Sequence, residues 1–365
     1  MKKALALTVI LALLLSAAGL LRVDSARGNA GGIMGLYPTP PSITISSSGD
    51  IFSSVLYPSF PQIKRVDDVY YLTGNILHFR ITILRDNVTL DGQGFTLLGN
   101  IGTGPTAGIG INPQANNITI RNLVVKLFPV GIEPTRHSGS GGFPEGLGTR
   151  IINNTISDCN SGIELVGETG NYVSGNVLKN NELSGIHIRN GYANTIQENV
   201  IINNAKGIWA EGSYNNFSLN IIAENQNGAY LEDVQANIFT KNNFTRNDCG
   251  IYFMRSNDNQ FYLNNFLNNS ASVGQLSNDL HNSWDDGFVG NYWSNYLGED
   301  LDGDCLADNQ FIVSENNTDH YPLMQPFSGY ALQSKAFPTA YSMGIVAAIV
   351  IVLLGSTVYV LKRKN

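Results

Sequence analysis

Apolar and polar residues along this chain repeat at intervals of about 22 residues. Each repeat contains the phrase glycine-apolar-x-apolar, in which x is any residue, and the steps between successive glycines are 23, 31, 23, 22, 21 and 22 residues. A period of this length indicates a solenoid of stacked coils. The glycines are Gly108, Gly131, Gly162, Gly185, Gly207, Gly228 and Gly250.

Asparagines recur in phase with these glycines. The phrase asparagine-x-apolar-x-x-asparagine occupies residues 171–176, 194–199, 215–220, 237–242 and 259–264, and a further asparagine follows at Asn181, Asn204, Asn225, Asn247 and Asn269. Asparagine tolerates the left-handed backbone of a bend, and stacked amides can bond to one another in ladders. We therefore interpret these asparagines as structural, with Cys159 in the equivalent place one coil earlier.

Each repeat thus holds three short apolar phrases, which are too brief for helices and suit three strands joined by tight bends. Strands that return to the same edge once per repeat pair in parallel, and such crossovers are right-handed. The sequence predicts an all-β fold, a single-stranded right-handed parallel β-helix over residues 78–274. Residues 27–77 and 275–327 are expected to cap its two ends, and a loop is expected between Arg136 and Thr149.

Two apolar segments flank this region. Residues 1–26 have the basic start, apolar run and small residues of a secretory signal peptide. Residues 343–361 contain no charge, follow a linker over 328–342, and precede a basic tail over 362–365. This pattern predicts one C-terminal transmembrane helix with the tail in the cytoplasm. We expect a single-pass protein of the cell membrane whose bulk is extracellular.

Composition and charge narrow the function. The net charge of −7 comes from sparse charges, 14% of residues, and gives no basic footprint for nucleic acid. Three cysteines do not describe a disulfide framework, although a bond between Cys249 and Cys305 stays open. Asn-x-Ser/Thr sequons mark expected glycan sites in an exported protein and begin at Asn87, Asn117, Asn153, Asn216, Asn243, Asn268 and Asn316.

The segment after the coils carries the most specific motifs. They are Gly290-Asn291-Tyr292-Trp293-Ser294-Asn295-Tyr296, Asp300-Leu301-Asp302-Gly303-Asp304 and Tyr321-Pro322-Leu323-Met324. With the coils, they make residues 65 to 327 resemble the NosD-type periplasmic copper-binding β-helix family, of the pectate-lyase-like superfamily and common in archaeal surface proteins. The resemblance implies the β-helix fold. It leaves function open, since this fold carries binding proteins, lyases, hydrolases and epimerases.

One outward column offers candidate chemistry. Because strand side chains alternate, the x residues of the glycine phrase point outward. The column is flanked by residues that lie two positions after an x residue, namely Arg189, Glu211 and Glu232. Exposed aromatic rings beside polar groups suit a sugar ligand, and carboxylic side chains in one column also suit polysaccharide hydrolysis. Starting from Gly110, the column continues with Glu133, Glu164, His187, Trp209, Tyr230 and Tyr252.

These residues predict glycan or polysaccharide binding, or a cell-envelope role, without catalysis. The alternative is a surface-tethered polysaccharide-active enzyme, a lyase, hydrolase or epimerase that uses Glu133, Glu164 or His187. The aromatic rings favour the first, whereas the resemblance implies both.

The sequence suggests two candidate metals, calcium and copper. Four aspartates fall at positions 1, 3, 5 and 9 of an EF-type loop and favour calcium, although Cys305 replaces the glycine of position 6 and Phe311 the glutamate of position 12. They are Asp300, Asp302, Asp304 and Asp308. Copper, which the resemblance suggests as a NosD-like metal-handling function, is disfavoured because no His-x-His, Cys-x-x-Cys or Met-rich phrase is present.

Overall fold

The computed structural model describes residues 41–55, 62–99, 108–135, 148–275 and 280–328. Within these ranges every regular element is a strand, and the strands form a right-handed parallel β-helix, as predicted. The predicted signal peptide, the transmembrane helix, its cytoplasmic tail and nearly all of the linker and of the 136–149 loop lie outside the described residues. The described ranges contain no helix long and apolar enough to cross a membrane.

Three sheets run along the solenoid, and each regular coil between the two ends contributes one strand to each sheet. Sheet 1 contains Ile51–Ser53, Ser42–Ile45, Arg80–Ile83, Ile109–Pro113, Val130–Ile132, Ser161–Val166, Ser184–Arg189, Lys206–Glu211, Asn227–Glu232, Cys249–Met254 and Ala271–Gly274. Sheet 2 contains Ile63–Val66, Val69–Leu72, Thr89–Asp91, Thr119–Arg121, Arg150–Ile152, Tyr172–Ser174, Thr195–Gln197, Asn216–Ser218, Ile238–Thr240 and Gln260–Tyr262. Sheet 3 contains Ile76–Leu77, Thr96–Leu98, Val124–Lys126, Thr155–Ser157, Val177–Lys179, Val200–Ile202, Ile221–Ala223, Asn243–Thr245, Asn265–Leu267 and Tyr292–Trp293.

Both ends depart from the regular coil. At the N-terminal end, Ser42–Ile45 and Val69–Leu72 already pair in parallel with the next strands of sheets 1 and 2, so stacking begins inside the segment expected to be a cap. Antiparallel hairpin strands, Ile51–Ser53 and Ile63–Val66, form the edge there. Near the C-terminal end, Phe311–Ser314 and Asn317–Asp319 form a separate two-stranded hairpin.

Buried asparagine ladders join the coils at their three bends. Most ladder asparagines donate the backbone N–H and the side-chain Nδ2 to the Oδ1 atom of the asparagine one coil further on, as Asn199 does to Asn220 at 3.0 Å for both bonds. Many also donate Nδ2 to a carbonyl of the preceding coil, as Asn199 does to Val173. Cys159 occupies a ladder position, where its backbone N–H donates to Asn181.

The backbone conformation at these bends differs from the expectation. The residue in the left-handed region is the one before the ladder asparagine, and its type varies, as at Leu219 (φ 57°), Glu224 (φ 57°) and Lys241 (φ 60°). The ladder asparagine is therefore required for its side-chain amide and not for left-handed backbone.

A column of glycines runs through sheet 1 for a steric reason. A Cβ atom built on Gly207 would lie 2.5 Å from the carbonyl oxygen of Gly228, and the same approach recurs along the column. The column starts at Gly110, which lies against Gly131, and not at Gly108 as the phrase suggested. The first coil of the phrase is thus shifted by two residues, and Asn112 precedes Glu133 in the outward column where Gly110 was expected.

Branched aliphatic side chains fill most of the core, and aromatic rings fill its C-terminal part. These rings form two rows that run along the solenoid. Within each row, the centroids of successive rings are 4.3 to 5.2 Å apart. One row is Phe217, Phe239, Phe261 and Trp284, and the other is Phe244, Phe266, Trp293 and Phe311. The motif residues of the C-terminal segment thus close the core.

One ladder ends on a buried aspartate. Asp319 Oδ2 accepts bonds from the backbone N–H of Asn291 at 2.7 Å and from Trp293 Nε1 at 2.8 Å, while Oδ1 accepts the N–H of Tyr321. A carboxylate offers only acceptors when ionised, which suits a ladder end that receives donors alone. Burial nevertheless raises the pKa of Asp319 to about 6, against the lowering effect of these donors.

We expect Asn225→Ala to lower the free energy of unfolding by about 3 kcal/mol, because it removes the acceptor of two hydrogen bonds from Asn204 and the donor of a third to the carbonyl of Ile201 at a buried bend. Gln226→Ala is the matched control, since Gln226 is the exposed neighbour in the same bend. Urea unfolding of the two variants measures the difference. Equal stability would contradict the role given to the ladder.

Candidate functional site

The outward face of sheet 1 brings the candidate residues together. Parallel register places Glu164 beside His187, His187 beside Trp209, Trp209 beside Tyr230, and Tyr230 beside Tyr252. The pairing of Ile132 with Ile163 places Glu133 one coil before Glu164. Adjacent strands are about 4.8 Å apart, so these six residues form one continuous outward column.

The first half of this column is a polar network. His187 is only 5% exposed and lies between two carboxylates, with Nε2 3.0 Å from Glu211 and Nδ1 3.7 Å from Glu164. Arg189 Nε approaches the same oxygen of Glu211 at 3.7 Å. Both ring nitrogens of His187 therefore face carboxylates.

The two glutamates at the start of the column have opposite pKa shifts. The pKa of Glu133 is raised to about 7, first by burial and then by the charge of Glu164, against the lowering effect of Arg189. Burial also acts to raise the pKa of Glu164, but hydrogen bonds from His187 and Ser161 and the charges of His187 and Arg189 outweigh it and leave the pKa lowered. Near neutral pH the pair can thus combine a protonated acid with a carboxylate, an arrangement that acid–base catalysis uses.

The second half of the column is aromatic, and its rings pack on one another. The ring of His187 stacks on Trp209 with centroids 4.0 Å apart, and Tyr230 stacks on Tyr252 at 5.1 Å. Trp209 meets Tyr230 edge-on at 6.1 Å. Stacking between coils covers ring faces, so the half-buried rings present mainly their edges, with the polar groups beside them, to solvent.

Lys206 completes the aromatic half and was not identified from the sequence. Its Nζ atom lies 3.1 Å from the centroid of Trp209 and 4.0 Å from that of Tyr230, a cation–π arrangement. Burial lowers the pKa of Lys206, although Glu232 and Glu211 act to raise it. A signal for Lys206 is present in the sequence, because it lies three residues before Trp209. Ser161 and Ser184 occupy the equivalent position in the two preceding coils.

Hydrogen bonds hold the remaining polar edges in place. Trp209 Nε1 donates to Glu232 at 3.2 Å, and the Tyr230 hydroxyl donates to the sulfur of Met254 at 3.1 Å. The flanking residues named with the column thus lie within reach of it.

The acidic loop lies apart from this face, in the C-terminal segment. Asp300, Asp302 and Asp304 each offer an oxygen within 4.8 Å of the others, whereas Asp308 accepts the backbone N–H of Leu301 at 2.6 Å. Cys305 adopts a φ of 73°, the left-handed conformation that glycine takes at this position of an EF-type loop. Three of the four predicted ligands are therefore close together.

The described residues do not fit a copper site. Burial raises the pKa of Cys159 to about 12 and that of Cys249 to about 11, which keeps both thiols protonated rather than in the thiolate form that binds metal. The three cysteines are free. Over the described ranges, the aspartates of the acidic loop are the one cluster of three His, Cys, Asp or Glu side chains with metal-binding spacing.

The pKa of Glu133 has a consequence for stability. A folded-state pKa raised from 4.5 to about 7 contributes stability that is complete below about pH 4.5 and is lost as pH rises through 7. We expect the unfolding free energy of the wild type, relative to Glu133→Gln, to fall over this window. A difference in unfolding free energy between the wild type and Glu133→Gln that does not change with pH would contradict the raised pKa. Carboxyl ¹³C titration gives the pKa directly, and the signal missing from the variant assigns it.

Comparison with known proteins places this geometry in a family. A family model described as periplasmic copper-binding protein (NosD) matches residues 69–225 and 128–298. No curated protein matches the sequence.

Solved structures show weak similarity. Tailspike protein 2 of the Escherichia coli O157:H7 bacteriophage CAB120 is 14% identical, with a TM-score of 0.45 over 86% of this chain and 48% of the tailspike. XylC in complex with xylose is 16% identical, with a TM-score of 0.39 over 55% of this chain and 37% of that protein. The A-module of the Azotobacter vinelandii mannuronan C-5 epimerase AlgE6 is 13% identical, with a TM-score of 0.36 over 60% of this chain and 80% of the module.

This chain therefore spans about half the length of the tailspike and 37% of XylC, and these similarities carry no argument about ligand or reaction. The family model, in contrast, matches more than half of this chain. Its two segments together cover residues 69–298 of 365, and the chain belongs to the NosD family of periplasmic copper-binding proteins.

Proposed function

We propose that this protein is a membrane-anchored extracellular β-helix protein that binds a glycan or polysaccharide along the outward face of sheet 1. The observation that carries the proposal is the continuous column from Glu133 to Tyr252, in which carboxylates, a histidine and aromatic residues lie in register. The anchor rests on the apolar segment at residues 343–361 and the signal peptide on residues 1–26.

The chemistry of the face suits sugar hydroxyls. Glu133, Glu164 and Glu232 offer acceptor oxygens, and Arg189 and Tyr252 offer donors. Sugars bind proteins through such directional groups beside apolar surface, which the half-buried ring edges supply. Because the rings stack on each other, recognition relies on polar groups along their edges more than on a sugar ring lying flat on an exposed indole.

We expect Tyr252→Ala to lower retention on a bound polysaccharide about tenfold, because it removes a hydroxyl and the stacking partner of Tyr230. Tyr172→Ala is the matched control, because Tyr172 is also a half-buried outward tyrosine but lies in sheet 2. A panel of neutral, acidic and amino polysaccharides in affinity electrophoresis measures retention. Equal loss in both variants, or retention by neither the wild type nor the variants, would contradict the proposal.

A second candidate is a surface-tethered polysaccharide-active enzyme. It is favoured by the opposite pKa shifts of Glu133 and Glu164, which suit a general acid beside a carboxylate. The same panel separates the two functions. Retention without new chain ends supports binding alone, whereas new reducing or unsaturated ends that disappear in Glu133→Gln and Glu164→Gln establish catalysis.

We also propose that calcium occupies the acidic loop, on the basis of the three clustered aspartates. Extracellular calcium modules bind in the range of about 0.1–1 mM. For a dissociation constant near 1 mM, 10 mM calcium adds about 1.4 kcal/mol of stability.

Such stabilisation raises the melting temperature of a domain of this size by about 2–4 °C. Asp302→Asn with Asp304→Asn is expected to abolish the increase while leaving the metal-free melting temperature within about 1 °C, because both side chains are exposed. Differential scanning calorimetry with and without calcium measures it, and magnesium serves as the ion control. No shift at 10 mM calcium would rule out the site.

A further inference from the structure

The charge of the proposed binding face is unbalanced. Four carboxylic side chains and two basic side chains surround the column. The basic ones are Arg189 and Lys206, and the acidic ones are Glu133, Glu164, Glu211 and Glu232. At the edge of this face, Arg255 forms two bonds of 2.7 Å to Asp233, so this further pair adds no net charge.

Both basic groups already have partners on this face, although the half-exposed guanidinium of Arg189 retains N–H donors. Arg189 is held beside Glu211 at 3.7 Å, and Lys206 directs its ammonium group onto the rings of Trp209 and Tyr230. An anionic ligand would lie beside the carboxylates of Glu164, Glu211 and Glu232, whereas Glu133 adds no full negative charge near neutral pH because its pKa is raised to about 7. Like charges at such distances disfavour binding.

The acidic groups, by contrast, retain acceptor capacity. Glu232 uses one oxygen for the Trp209 indole, and Glu211 uses one for His187. A carboxylate has about four acceptor sites, so each can receive further donors. Glu211 is 30% exposed, which leaves its carboxylate accessible from solvent.

We infer that the glycan bound on this face carries protonated amino groups, so that the ligand class is an amino-sugar polysaccharide and not a polyuronate. This inference rests on the proposed glycan-binding function and specifies its ligand. An ammonium group offers three donors and a positive charge, which match the remaining acceptor sites of Glu211 and Glu232. Charge-assisted hydrogen bonds of this kind favour an amino sugar over an uncharged sugar of the same size.

Three tetrasaccharides test the ligand class on the whole folded protein. They are the β-1,4 tetramers of glucosamine and of N-acetylglucosamine, which share a backbone and differ in charge, and a tetramer of mannuronic acid. Calorimetric titration at low salt and about pH 5.5 keeps the amines protonated. We expect the glucosamine tetramer to bind about tenfold more tightly than the N-acetylated one, and added salt to reduce the difference.

A matched pair of variants locates the effect. Glu232→Gln removes one charge but retains an oxygen that can accept the Trp209 indole bond, and it is expected to weaken glucosamine binding about fivefold with little change for the N-acetylated tetramer. Glu198→Gln makes the same change in net charge at an exposed bend between sheets 2 and 3, and is expected to leave both affinities unchanged.

The outcomes separate the inference from the function on which it rests. Equal or tighter binding of the N-acetylated or mannuronate tetramer overturns the amino-sugar assignment and keeps the glycan-binding function. An equal effect of both variants shows that bulk charge alone attracts the ligand and also overturns the assignment. Binding of none of these tetramers, nor of any polysaccharide in the wider panel, removes the glycan-binding function itself.

Discussion

The structure depends on hydrogen bonding between asparagine side chains of successive coils. At a bend of the solenoid, some backbone N–H and C=O groups have no hydrogen-bond partner in a sheet. Because these groups are buried, they need another partner. The ladder solves this with one residue type, since at most positions an Oδ1 atom accepts two bonds from the coil before it, as between Asn220 and Asn242 at 3.0 and 2.9 Å. Identical bonds at three bends hold all coils in one register, which is why the strands pair residue by residue along each sheet.

That register creates the candidate site. Side chains at one position of successive coils must lie side by side, so any run of similar residues becomes a continuous surface. In sheet 1 this rule stacks the ring of His187 on Trp209 and that of Tyr230 on Tyr252, and places Glu133 beside Glu164. The pKa difference between the glutamates follows from the same arrangement, because burial acts to raise both pKa values and only Glu164 receives the hydrogen bonds of His187 and Ser161 that lower its pKa.

The C-terminal motifs that characterise the family resemblance have a structural explanation in this chain. Asn291 continues a ladder, Trp293 extends a row of core rings, and a Cβ atom on Gly290 would collide with Asp319. These residues close the open end of the solenoid, which any stack of coils requires. Membership of a family described by copper is thus compatible with described residues that lack a copper-binding donor set.

Periodicity along the chain was enough to predict the solenoid, its three sheets and the outward column, because every coil repeats the same local arrangement of strands and bends. The sequence also placed three of the four loop aspartates together, since they lie within five residues of one another. Tertiary structure alone decided the two-residue shift at Gly110, the left-handed residue before each asparagine, the position of Lys206 between two rings, and which faces of the rings remain open. These features depend on contacts between coils 21 to 31 residues apart, where burial and neighbouring charges, and not the local pattern, set the outcome.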